Sequence, residues 1–84
     1  MYYTYVLQSL KDRSLYVGYT KDLENRFRKH NRGENLSTKP HIPYKLIYYE
    51  AFISRKDAKA REIYLKSGWD RRTINKLLKY YFDT

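Results

Sequence analysis

The chain contains no cysteine. That excludes a disulfide framework and a thiolate zinc site, and it leaves oxygen and imidazole as the side-chain ligands that a metal would meet. A reducing, cytoplasmic setting is the default expectation for such a composition. With two prolines and three glycines, no stretch has the make-up of a flexible linker, and residues 1–84 are expected to form one domain. Long apolar runs are missing too. None approaches the roughly 20 residues that cross a bilayer, and the N-terminus lacks the basic, apolar and small-residue order of a signal peptide. A soluble protein without a membrane partner is expected. Acidic residues are scarce: nine Asp plus Glu stand against eighteen Lys plus Arg, a formal net charge of +9.

So strong a positive field on so small a surface points to a polyanion as partner. Neutralising phosphates releases counterions and supplies affinity without sequence information, so charge indicates nucleic acid as a class and does not choose DNA over RNA. The plainer alternatives are a basic surface kept for solubility or one that meets anionic lipid. Eleven tyrosines, three phenylalanines and one tryptophan supply the rigid aromatic packing on which a small core depends.

Tyr2 to Ser9 and Leu15 to Thr20 are rich in aromatic and β-branched residues and flank Lys11 to Ser14, which predicts a hairpin. Thr20 is a candidate cap for a helix with Asp22 and Glu24 in its first turn, running to about Asn31 before Gly33. On it Leu23, Phe27 and His30 share a face. Arg32 to Pro43 is polar and broken by Gly33, Pro40 and Pro43, hence a loop, and Tyr44 to Phe52 returns to strand character. Ser54 with Asp57 resembles a capping box for a helix to about Ser67, ended by Gly68. Asp70 is expected to cap a last amphipathic helix carrying Ile74, Leu77, Leu78, Tyr81 and Phe82. The order β-β-α-β-α-α predicts an α+β fold, a small, mostly antiparallel three-stranded sheet flanked by helices.

Cutting a phosphodiester needs an activated water, a cation to neutralise charge at phosphorus, and a stabilised leaving oxygen. The acidic residues are scattered, so the cluster of carboxylates that holds two metals is missing, and one metal with non-carboxylate helpers is the better candidate. Tyr3-Thr4-Tyr5 and Tyr16-Val17-Gly18, with Arg26, His30 and Glu62 following in order, resemble the GIY-YIG nuclease family, in particular its short single-domain members of the UvrC N-terminal type. The resemblance covers nearly the whole chain; Tyr3 departs from the glycine of the first triplet.

That resemblance implies a metal-dependent, endonuclease-like domain that hydrolyses DNA, RNA not being excluded, with low intrinsic sequence specificity. One divalent ion, Mg²⁺ or Mn²⁺, would sit on Glu62. Arg26 and His30 would engage the phosphate, and Tyr5 or Tyr16 would activate the attacking water. Target choice would then fall to substrate structure or to a protein partner. Gly18 and Asn75 match supporting positions, and Thr38-Lys39 resembles a pair common in short members.

Read without the resemblance, each residue has a plainer role. Glu62 shares a helix face with Ala58 and Leu65, or is an exposed acid paired with Lys59 or Lys66. Arg26 suits a phosphate by its planar fork, or forms a surface ion pair. His30 is a phosphate or water contact, or a structural imidazole. A phenol is a poor base near neutral pH unless cations stabilise its anion. Gly18 serves a close approach or a strand bulge. Lys39, Arg71, Arg72 and Lys76, with Trp69 and Lys79, form basic edges suited to a DNA backbone or simply solvated. The rival from another class is a non-catalytic nucleic-acid-binding module that keeps the fold. A protein-interaction domain is a third reading.

Overall fold

The computed structural model describes residues 1–67 and 71–83. Strands β1 (Tyr2–Ser9), β2 (Leu15–Thr20) and β3 (Tyr44–Phe52) form an antiparallel sheet in the order β2-β1-β3. Helix α1 (Leu23–Asn31) follows the hairpin, a single 3₁₀ turn (Lys39–His41) precedes β3, and α2 (Arg55–Ser67), α3 (Arg72–Leu77) and α4 (Lys79–Phe82) close the chain. The expected α+β order is therefore present. Among the described residues no helix is long and apolar enough to cross a membrane.

Alternation along β1 divides the core in two. Tyr5 and Leu7 point to one face, where Tyr44 joins them and Leu23 and Phe27 of α1 cover them. Val6 points to the other, where Val17, Leu65 and Ile74 meet and Leu78 and Phe82 close the layer. The sheet is thus sandwiched between α1 and the group α2 to α4. Val6 and Leu7 are completely buried, and each stabilises the fold by about 1.5–3 kcal/mol. A bulge in the β1–β3 register between Val6 and Leu7 lets consecutive Ile47 and Tyr48 both pack on the Val6 side.

Polar bonds fix the layers. Thr4 Oγ1 donates to Ala58 O at 2.6 Å, pinning α2 to the central strand, and Tyr81 Oη donates to Gln8 Oε1 at 2.5 Å, pinning α4. Asn31 clamps the end of α1 to β3: its Nδ2 donates to Tyr44 O at 3.0 Å while its Oδ1 accepts from Tyr44 N at 2.7 Å.

Three local expectations are corrected. Asp22, not Thr20, caps α1, its Oδ1 accepting from Asn25 N at 3.2 Å; Thr20 Oγ1 instead accepts from Asp22 N at 3.1 Å and shapes the turn before the cap. The last amphipathic helix is two short ones, broken at Leu78, whose φ of −112° and ψ of 36° leave the helical region. The break keeps Ile74, Leu78 and Phe82 on the core and leaves Leu77 39% exposed. The bulge belongs to the β1–β3 pairing and not to Gly18. Ser54 Oγ accepts from Asp57 N at 3.4 Å, as a cap should, and Gly33 ends α1 with φ +75°. Gly68, Trp69 and Asp70 lie outside the described residues.

Candidate active site at the open edge of strand β2

Tyr5 is paired with Gly18 across the hairpin, and Tyr16 stands two residues before Gly18 on the same face. The two tyrosine rings lie 6.3 Å apart, centroid to centroid. A Cβ on Gly18 would overlap the Tyr5 phenol; glycine is required because an aromatic ring lies across its backbone. From α1, completely buried His30 brings Nε2 to 2.9 Å from the Tyr5 hydroxyl, with its ring 4.8 Å from that of Tyr16.

The other imidazole nitrogen, Nδ1, lies 2.8 Å from Thr38 Oγ1. A hydroxyl has one proton to give, and Thr38 Oγ1 donates to Asn35 O at 3.3 Å. The hydrogen-bond chain therefore assigns the proton to Nδ1, which donates to Thr38, while Nε2 accepts from Tyr5 O–H. Burial, reinforced by the Arg26 charge, pushes the imidazole below its ordinary value of 6.5, so His30 is neutral at pH 7. Burial likewise pushes the Tyr5 phenol far above its ordinary value of 10.0; Tyr16 and Glu62 act in the same direction, and Arg26 opposes them by charge and hydrogen bond.

One phenol feels Tyr16 of β2, Arg26 of α1 and Glu62 of α2, although α1 and α2 cover opposite faces of the sheet. Among the described residues β2 has no strand on its outer side, and α2 reaches it through Lys66. Ala58 and Leu65 are buried on the same face of α2 as Glu62, whose side chain is only 16% exposed. Its Oε2 accepts from Lys66 Nζ at 3.0 Å, and Lys66 in turn stands 6.0 Å over the Tyr16 ring. Lys59 lies over Tyr19 instead.

The remaining predicted residues are elsewhere. Lys39 is exposed on the 3₁₀ turn next to buried Thr38. Arg72 and Lys76 line a groove of about 490 Å³ with Arg61, Tyr64, Thr73 and Leu77. Arg71 caps α3 in a left-handed conformation and stacks over Phe82, and Asn75 is exposed on α3. Two contributors were missed by sequence reasoning: Thr38 as the anchor of His30, and Lys66 as the partner that reaches Tyr16. Thr38 stood in the quoted Thr38-Lys39 pair, and Lys66 lies one turn beyond Glu62, but neither contact has a local signal.

Residues 1–76 match a family described as the GIY-YIG catalytic domain. A UPF0213 protein of Clostridium perfringens is 43% identical over 67 residues, covering 79% of this chain and 71% of that one. A UPF0213 protein of Streptococcus pyogenes is 39% identical over 79 residues, covering 93% and 82%. The solution NMR structure of a UPF0213 protein from Bacillus halodurans superposes with a TM-score of 0.60 at 34% identity, covering 95% of this chain and 85% of that one.

Proposed function

The chain belongs to the GIY-YIG catalytic-domain family, and from that premise we propose that it is a metal-dependent endonuclease that hydrolyses phosphodiester bonds of DNA at the β2 edge, with little intrinsic sequence specificity. What supports this reading is the cluster of Tyr5, Tyr16 and His30, with Arg26 acting on the Tyr5 phenol and Glu62 linked through Lys66 to the Tyr16 ring.

The donor set fits a hard divalent ion. Glu62 offers one carboxylate beside the phenols, and among the described residues no three His, Cys, Asp or Glu side chains cluster into a dedicated cage. Mg²⁺ and Mn²⁺ are held in this way, by one or two carboxylates with waters and phosphate oxygens. Bound there, the ion would neutralise charge developing on the phosphate. Arg26 presents its fork to the same phosphate. Tyr5 stays a phenol, since its proton is engaged with His30 and burial disfavours its anion. That leaves Tyr16, half-buried and reachable from the edge, to take the proton of the attacking water after giving its own phenol proton to solvent. His30, locked between Tyr5 and Thr38, positions both rings.

A second reading rests on the Lys66–Glu62 pair at 3.0 Å: a binding module in which lysine permanently replaces the metal. Exposure argues against it. Lys66 is half-exposed and free to swing into solvent, so a divalent ion with phosphate can displace it from the carboxylate. Nicking of several DNA structures in Mg²⁺ or Mn²⁺ separates the readings. The nuclease cuts, and Glu62→Ala stops cutting while DNA affinity stays within a few-fold. Equal background from wild type and Glu62→Ala would overturn the nuclease reading.

A further inference from the structure

Beyond the cleavage site, along the same edge of β2, a recess of about 380 Å³ is lined by Tyr2, Tyr19, Thr20, Lys21, Arg26 and Arg55. Three of its six lining residues are cations, and none is acidic. Four basic residues elsewhere are held by acids: Arg28 pairs with Glu24, Arg32 with Glu34, Arg61 with Glu50 and Lys66 with Glu62. Among the described residues Lys21, Arg26 and Arg55 form no ion pair. Like charges gathered round one hollow repel each other unless an anion enters it. Arg55 is also held in place, its Nε donating to Tyr19 Oη at 3.2 Å, and Tyr19 is stacked on Tyr2 with ring centroids 6.3 Å apart and braced by Lys59 over its ring. That leaves the terminal N–H groups of the guanidinium for an outside acceptor. The adjoining hollow on the other side of Lys21 is lined by Asp22 and Glu24, which disfavours an anion there.

The geometry points to a second phosphate subsite, formed by Lys21, Arg55 and the recess-facing side of Arg26, which binds a flanking phosphate of the strand being cut. This rests on the reading of the β2 edge as the cleavage site, because Arg26 borders both. From Gly18 to Thr20 is two residues of extended chain, about 7 Å at 3.3 Å each, and Lys21 follows in the turn, so the second phosphate belongs to a near neighbour in the same strand. The recess fixes the direction in which the strand leaves the site, and it makes recognition depend on nucleotides on one side of the scissile bond.

The test is fluorescence anisotropy of wild type, Lys21→Ala, Arg55→Ala and Lys45→Gln with a labelled single-stranded DNA oligonucleotide, in EDTA to prevent cleavage, across a series of salt concentrations. Lys45 lies on β3, two inter-strand spacings or about 10 Å from β2 and beyond the Debye length of about 8 Å. Lys21→Ala and Arg55→Ala should each flatten the slope of log K against log salt by about 0.7, the value of one phosphate contact on a single strand, while Lys45→Gln leaves it unchanged. Shortening the oligonucleotide from one end, and not from the other, should abolish the effect of Arg55→Ala. If wild type binds with a steep salt slope that all three variants share, the subsite is overturned and the nuclease reading stands. If wild type shows no salt-sensitive affinity, both fall.

Discussion

Replacing Thr38 by valine nearly preserves the side-chain shape and removes its oxygen. In the native protein that oxygen accepts from His30 Nδ1 at 2.8 Å and donates to Asn35 O at 3.3 Å, with Thr38 and His30 both completely buried. Either tautomer of the variant's imidazole then leaves one ring nitrogen buried without a partner. A buried polar group orphaned in this way costs about 1–3 kcal/mol, and the long bond to Asn35 adds little. A loss of about 2 kcal/mol in a domain of this size lowers the midpoint of thermal unfolding by roughly 8–16 °C. Urea and thermal unfolding followed by circular dichroism measure both quantities. Tyr5→Phe removes the partner on the opposite side of the same ring, so the double variant should depart from the sum of the singles by about 0.5 kcal/mol or more. A loss for Thr38→Val below about 0.5 kcal/mol, the range of an ordinary surface change, would refute the hydrogen-bond chain as the device that orients His30.

His30 also makes stability depend on pH. Its folded-state value lies below the ordinary 6.5, so as pH falls through 6.5 the unfolded chain takes up a proton that the folded one refuses. Stability therefore declines on acidification through that window until the lower folded value is passed. Urea midpoints at pH 7.5 and 5.5 should show this decline, and His30→Gln should lack its contribution; an identical decline in both would contradict the assignment. Gly18→Ala drives a methyl into the Tyr5 phenol. Overpacking of this kind costs about 1–3 kcal/mol, and cleavage should fall with it; an alanine variant as stable and as active as wild type would show that the ring has room to move.

Strands and their faces were readable from the sequence because alternation has a direct physical cause. Tyr5 and Leu7 had to face away from Val6, and the burial of all three follows. Gly33 announced the end of α1 because its backbone takes a positive φ that other side chains resist. The cap of α1 was less readable, since Thr20 and Asp22 both carry oxygens that satisfy a turn, and only the path of the chain decides which one reaches Asn25 N. The break at Leu78 was hidden, because the apolar pattern of one helix and of two short ones sharing a core is the same.

For the site, motif order named the candidate residues but not how they lie relative to one another. Glu62 of α2 is linked to the Tyr16 ring through Lys66 past the outer side of β2, a property of strand order rather than of local sequence. The proposed division of roles between Tyr5 and Tyr16 rests on the register, which buries one phenol against Gly18 and His30 and leaves the other half-open.

Titration of ¹⁵N-labelled protein with Mn²⁺, followed by paramagnetic broadening of its amide resonances, tests the shared pocket most directly and requires no cleavage. Broadening should centre on Glu62 and its helical neighbours and extend across the β2 edge to Tyr16, Gly18, Arg26 and His30, and Glu62→Ala should remove it. Broadening that survives Glu62→Ala, or that spares residues 16, 18, 26 and 30 while Glu62 is affected, would contradict a common site.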